Sequence, residues 1–483
     1  MTAPEGVEIA ITDRPAGAVA HRSADAGGLR ARTRAAWLAL DPARRLALRD
    51  SWRALWTSRL LVWTVGVATL AGFGFGPIRN AFDPPHTTRG FGWLGDLLAA
   101  PAARWDSDWY LVIARFGYHP ELGSLTAGRT AYFPLYPLGM RAISWLGPPL
   151  IVAGVLLSVV AFMGALYGVH RLTTLELARV RRPALAGRGA EDAARLAVLS
   201  LAFAPMAFFF SAVYNESLYM AIGVALFWSA RHGRWWLVGV LGALAGATRS
   251  TGLVFVLPAL VLYLYGPRED RVPDFAPAAA GPRASAALRA LRPRYRLRRD
   301  VLWLAVMPLG AALYALWLGL ESGDAIAPFH AQQGWGRHLV APYRGAWDGL
   351  VAAFDGARQL LSGQRAHVYF RLAGGDPFIA AEHNLMLIAF LLATIPLLVG
   401  VFRLLAPAYG VYVLAALAVP LSYPVAPQPL MSVPRYAVVL FPLNMWLGAW
   451  LAEHPRARRP VLVGSALLMA FFVAEFATWH WVA

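Results

Sequence analysis

Cysteine and lysine are both missing from this 483-residue chain, and acids are sparse: 27 Asp and Glu stand against 44 arginines. Without cysteine there is no disulfide, no thiolate nucleophile and no zinc–thiolate site. Charge of any sign is scarce. Charged residues make up 15% of the chain, where a soluble protein carries about 25%. Signatures of soluble nucleotide and hydrolase chemistry are absent too: no P-loop, no glycine fingerprint of a Rossmann fold, no zinc-protease helix and no Ser-His-Asp arrangement. A cytosolic nucleotide-sugar site would need a Rossmann-like domain, and no stretch supplies one.

What is there is apolar. Hydrophobic residues reach 58%, and apolar runs of about 20 residues, the length that crosses a bilayer core, recur throughout. The chain reads as an all-α polytopic membrane protein with about eleven spans, near 57–76, 148–170, 196–213, 217–230, 235–248, 252–266, 301–320, 384–404, 408–424, 436–452 and 461–479. Residues 1–56 read as a cytoplasmic disordered tail ending in an amphipathic helix at 43–56. Residues 57–483 read as a single transmembrane domain. With the N-terminus inside, most of the arginines fall in cytoplasmic segments, as the positive-inside rule asks. Two long polar-aromatic loops, 77–147 and 321–382, then face the other side. Because the positive charge is spread over loops, a nucleic-acid partner is not expected.

The first of these loops holds the densest chemistry. Arg104-Trp105-Asp106-Ser107-Asp108-Trp109-Tyr110 leads into a short helix over Leu111–Phe116, then Gly117-Tyr118, and later Tyr132-Phe133-Pro134-Leu135-Tyr136-Pro137. If extended, Asp106 and Asp108 point the same way and can share a metal or a proton; if helical, they diverge and only one faces a site. Either acid also suits a helix N-terminus. Trp105, Trp109, Tyr110, Tyr118, Tyr132, Phe133 and Tyr136 fit an interfacial aromatic belt or a surface for stacking sugar rings.

Further polar residues punctuate the spans. Tyr214-Asn215-Glu216-Ser217 follows Pro205, which breaks or kinks the preceding helix; Glu216 either caps the next helix or joins Asp106 at a site. Arg249 lies between two short spans. An arginine there costs several kcal/mol unless paired or solvated, so it faces an ion pair with Glu216, a headgroup or a bound phosphate. Arg435, in Pro434-Arg435-Tyr436, presents the same choice. Gln333, Trp335 and Arg337 lie in the polar run His330–His338, where Gly334 and Gly336 suit a mobile lid. Its two histidines are weak support for a metal.

Taken in order, Arg104-Trp105-Asp106, Tyr110-Leu111-Val112-Ile113-Ala114, Gly117-Tyr118, Tyr132-Phe133-Pro134-Leu135-Tyr136-Pro137, Tyr214-Asn215-Glu216-Ser217-Leu218, Arg249-Ser250-Thr251-Gly252-Leu253 and Pro434-Arg435-Tyr436 resemble the PIG-V-like mannosyltransferases, over roughly residues 55–480. The resemblance implies a GT-C-type fold and an inverting transfer of mannose from a polyprenyl-phosphate donor to an acceptor glycan or glycolipid at the non-cytoplasmic face. Carried over, Asp106 is the catalytic base, with Asp108 and Glu216 as supporting acids. Arg249, Arg435 and Arg337 are expected at the donor phosphate. Arg104, Trp105, Tyr110, Tyr118, Tyr136, Tyr214, Asn215, Gln333 and Trp335 are expected around sugar and acceptor. The leaving phosphate is stable at neutral pH, so no general acid and no cofactor are required; a divalent metal is compatible but not indicated. The expected partners are the lipid-linked donor, the acceptor and membrane lipids. An all-arginine basic complement suggests a GC-rich bacterial genome, and with it a bacterial plasma membrane.

Two other readings stand beside the enzyme. A transporter or flippase of a lipid-linked saccharide calls for midplane polar sites and repeat symmetry, and no clear repeat is seen. A non-catalytic partner in an envelope-assembly complex has no specific feature in its favour.

Overall fold

A computed structural model describes residues 32, 35, 37–76, 90–119, 128–275, 292–363 and 376–482. The tail reading falls largely outside these residues. The chain divides into two compact units, Met1–Arg49 and Asp50–Ala483, and apart from the start of the first helix all that follows concerns the second.

Every regular element among the described residues is helical. Helices α1 (Pro42–Phe73), α2 (Gly92–Ala99), α3 (Ser107–Phe116), α4 (Leu135–Ser144), α5 (Leu150–Leu177) and α6 (Arg188–Ala202) come first. They are followed by α7 (Glu216–Arg231), α8 (Trp235–Thr248), α9 (Val256–Tyr265), α10 (Leu309–Ser322), α11 (Ala327–Gln333) and α12 (Pro342–Ser362). The last five are α13 (Pro377–Leu404), α14 (Pro407–Leu421), α15 (Val433–Val438), α16 (Phe441–Glu453) and α17 (Pro455–Ala477). Five segments are long and apolar enough to cross a membrane: α1, α5, Arg299–Ser322, α13 and α17. The protein is an all-α, polytopic membrane protein.

Local chemistry sets the boundaries. Helices α12, α13, α14 and α17 start with proline, whose missing N–H costs nothing in the first turn. Helices α10 and α12 end on Gly323 and Gly363, both left-handed.

The structure departs from the expected spans most in three places; elsewhere the tenth, expected over 436–452, is broken between α15 and α16. The region read as an amphipathic helix followed by a first span is one continuous helix, α1. The third span, expected to run through 213, stops at Ala202; Pro205 prevents continuation, and a short 3-10 turn, Ala207–Phe210, follows. Its exposed carbonyls find a partner inside the bundle. Arg59 of α1 donates to the carbonyls of Ala207 (2.8 Å) and Ala202 (3.2 Å) and to Ser211 Oγ (2.9 Å). Irregular backbone is tolerated in a membrane protein when buried protein groups satisfy it in this way. Thirdly, the loop read as 321–382 contains two helices, α11 and α12.

Small residues allow the helices to approach closely. A Cβ on Gly448 of α16 would sit 2.4 Å from the Ala193 carbonyl oxygen of α6, and one on Gly310 of α10 would sit 1.8 Å from that of Ala243 in α8. Such seams are typical of helix packing in membranes, where apolar burial alone supplies no drive.

Candidate active site

The site begins with a strained turn. Trp105 has φ +57°, the left-handed region that an aromatic residue rarely enters. Several contacts impose it. The Trp105 indole donates to the His480 carbonyl (3.2 Å), and its ring packs edge-on against Trp479 and Trp481. The guanidinium of neighbouring Arg104 donates to the Ala477 carbonyl (3.0 Å) and lies over the Trp479 ring. From the other side, Tyr214 Oη donates to the Arg104 carbonyl (2.9 Å) and accepts from the Asp106 N–H (3.1 Å). Strain of this kind costs about 1–3 kcal/mol and persists only where surroundings over-determine it.

The turn separates the two acids. Asp106 is in the right-handed helical region as the residue before α3, so Asp106 and Asp108 diverge. Asp106 lines a cavity of about 220 Å³, whereas Asp108 is buried in the first turn of α3 and does not line it. Asp106 makes no side-chain capping hydrogen bond.

Around Asp106 the charges form a chain. Arg435 Nη1 donates to Asp106 Oδ2 at 2.6 Å, and Arg435 Nε lies 3.3 Å from Glu216 Oε1. Arg249 Nη1 reaches the same Glu216 oxygen at 3.3 Å. Glu216 is 1% exposed and sits at the start of α7, below the unwound segment after Pro205. Arg249 is brought there by the break between α8 and the 3-10 turn Ser250–Phe255, and its guanidinium lies 3.9 Å from the centre of the Tyr436 ring. The expected Glu216–Arg249 pair thus forms, but as part of a larger network.

A third arginine has a different situation. Arg337 lines the same cavity and is within reach of Ser432 Oγ at 3.5 Å. No carboxylate lies within 4 Å of it among the described residues. Burial pushes its pKa down from the ordinary arginine value, a direction that a bound anion would reverse. Two acids and three arginines therefore leave the site with surplus positive charge, suited to an anionic group.

The remaining walls are aromatic and amide-bearing. Trp109 stacks on Tyr132, with Trp335 edge-on to both. Tyr110, Trp105 and Asn215 also line the cavity, and Asn215 Nδ2 donates to the Thr248 carbonyl (2.8 Å). On one side the cavity adjoins a second pocket of about 380 Å³ that shares Arg337, Tyr436, Ser250 and Gln332 with it; its other walls include Leu253, Val254, Phe329, Leu339 and Val419.

Of the expected residues, Asp106, Trp105, Tyr110, Asn215, Arg249, Trp335, Arg337 and Arg435 line the cavity. Others do not. Tyr136 is fully buried and bonded to the Gly154 carbonyl and Ser158. Tyr118 donates to the Tyr132 carbonyl and packs on Tyr314 and Trp317. Arg104 and Tyr214 hold the turn instead of facing the cavity. Gln332, not Gln333, faces it, because α11 turns its neighbour away. Sequence reasoning missed Gln428, Met431, Ser432 and Trp481 as wall residues. Proximity to Pro434-Arg435-Tyr436 was a signal that could have found the first three, and the Trp479-His480-Trp481 run the last. Among the described residues no group of three His, Asp or Glu side chains is placed to hold a metal.

Residues 93–262 match the family described as Mannosyltransferase (PIG-V). The chain is also 30% identical over 189 residues to a GPI alpha-1,6-mannosyltransferase 2 of Rattus norvegicus, covering 37% of this chain and 35% of the relative. A Mus musculus protein of the same name is 30% identical over 187 residues, covering 36% and 34%. The chain thus spans about a third of the length of the curated relatives it matches. These mammalian matches overturn the expected bacterial assignment and the bacterial plasma-membrane location that went with it. What stands is an integral, multi-pass membrane protein similar to the glycosyltransferases of the PIG-V type.

Proposed function

We propose that the protein is an inverting mannosyltransferase of GT-C type, with about eleven spans, that uses a polyprenyl-phosphate-mannose donor and works at the non-cytoplasmic face. The observation that carries this reading is the placement of Asp106 in one cavity with Arg249, Arg337 and Arg435. The arginines hold the donor phosphate. The adjoining pocket, walled by Leu253, Val254, Phe329, Leu339 and Val419, accommodates the start of the polyprenyl chain. Trp109, Tyr132 and Trp335 offer flat faces to a sugar ring.

The step follows from that placement. An acceptor hydroxyl oxygen attacks the anomeric carbon from the face opposite the phosphate. The new C–O bond forms as the bond to the phosphate oxygen breaks, and the leaving oxygen keeps the electron pair beside the guanidinium groups. Asp106 accepts the hydroxyl proton. Mannose is preferred as the sugar because the matched relatives are named as mannosyltransferases. The acceptor is a glycan or glycolipid.

The test is transfer by purified protein supplied with a panel of polyprenyl-phosphate sugars. Mannosylated acceptor of inverted anomeric configuration is expected. Movement of the lipid-linked sugar across a bilayer with no glycosyl transfer would replace this reading by the transporter.

A further inference from the structure

The circumference of helix α12 falls into three sectors, and one of them has no protein partner among the described residues. Gly345, Gly349, Ala353 and Gly356 form a buried stripe. A Cβ on Gly345 would lie 1.9 Å from the Leu421 carbonyl oxygen, on Gly349 2.3 Å from Leu430 Cγ, and on Gly356 2.9 Å from the Ala381 carbonyl oxygen. The stripe therefore seats α12 against the last residue of α14, the following loop and the second turn of α13. A second sector carries Asp348, Asp355 and Gln359, which line a separate pocket. The third carries Tyr343, Trp347, Leu350, Phe354 and Leu361, exposed by 78%, 62%, 47%, 64% and 89%. Spacings of three, four and seven put these five on one face.

The position of the helix identifies what covers that face. Just before α12, the Val340 N–H donates to the Ser422 carbonyl (2.9 Å), and Val425 and Gln428 of the next loop line the catalytic cavity. Helix α12 thus lies across helix ends on the cavity side. It begins at the end of α14 and reaches the start of α13, a segment apolar enough to cross the membrane. Helix α12 itself is not one, since Arg344, Asp348, Asp355 and Arg358 interrupt it. A charged helix with a Trp–Tyr–Leu–Phe face, fixed at the mouth of a transmembrane helix, has the composition of an in-plane interfacial helix.

We propose that α12 is a membrane-surface anchor: its Tyr343–Leu361 face is buried at the boundary between lipid headgroups and acyl chains, and so fixes the cavity's height relative to the bilayer surface. This inference does not depend on the reaction catalysed.

The absence of cysteine makes the test direct. Single variants Leu350→Cys and Phe354→Cys on the apolar face, and Asp348→Cys and Asp355→Cys on the polar one, are made in the full chain. Each is labelled with a nitroxide and reconstituted in phosphatidylcholine vesicles. Collision with oxygen, which concentrates in lipid, is compared with collision with a water-soluble nickel chelate. The expected result is oxygen in excess at 350 and 354 and nickel in excess at 348 and 355. Nickel in excess at 350 and 354 would mean an aqueous face and overturn the proposal. Low access to both reagents at 350 and 354 would mean a protein partner, a second copy included, and would overturn it equally.

Discussion

At the scale of residues, the centre of the site is a shared oxygen. Glu216 Oε1 lies 3.3 Å from both Arg249 Nη1 and Arg435 Nε, and Arg435 passes on to Asp106. Truncating one partner of such a buried network leaves the others uncompensated, which costs about 3–5 kcal/mol. Glu216→Gln, which keeps the shape and removes the charge, sets Arg249 and Arg435 against each other. It is therefore expected to lower the thermal midpoint in detergent clearly, while the same change at the exposed Glu321 leaves it near the starting value. An unchanged midpoint for Glu216→Gln would mean that water or counter-ions already screen the network. Part of this was legible in the sequence. An arginine between two short apolar segments demands a partner, and Glu216 at a helix start was the available one. The Arg435–Asp106 bond was not legible, because its residues are 329 positions apart and only the folded bundle joins them. The spacing of Asp106 and Asp108 left open whether they face the same way, and the family resemblance alone singled out Asp106; the helical backbone at Asp106, after the left-handed Trp105, makes the two diverge.

At the scale of elements, the site depends on helices that stop early. Pro205 ends the course of α6, so Tyr214, Asn215 and Glu216 arrive in irregular backbone and at the first turn of α7. The break after Thr248 delivers Arg249, and Gly252 closes it: a Cβ there would lie 2.1 Å from the Ala245 carbonyl. Gly252→Val is expected to force the 3-10 turn away from α8, moving Arg249 off Tyr436 and Glu216. Overpacking of this kind costs about 1–3 kcal/mol or more. Transfer activity should fall much further than stability, measured as initial rate and thermal midpoint on the same preparation. A parallel fall in both would assign Gly252 to packing alone. Helix existence was largely legible from apolar runs; 235–248 and α8 have the same bounds. Helix ends were less so where proline or charge competed with the apolar pattern, as at 196–213. Helices α11 and α12 were missed because their polar and aromatic residues read as a loop; in α12 charges interrupt the apolar face, and the face that packs on protein is made of glycine and alanine.

At the scale of the whole molecule, α7 connects two charged layers. Glu216 at one end joins the cavity, and Arg231 at the other is paired with Glu176 and Glu269. The 16 residues of α7 separate these layers by about 24 Å at 1.5 Å per residue. Apolar residues fill the length of α7 between these two layers. Against that architecture, the claim that most needs testing is that Asp106 takes the acceptor proton. Purified protein and an Asp106→Asn variant are compared for transfer of mannose from polyprenyl-phosphate mannose, with donor binding measured in parallel. Loss of a general base costs about 10²–10⁴ in rate, so the variant should retain donor binding and lose at least about a hundredfold in turnover. Turnover equal to that of the unaltered protein would contradict the role assigned to Asp106.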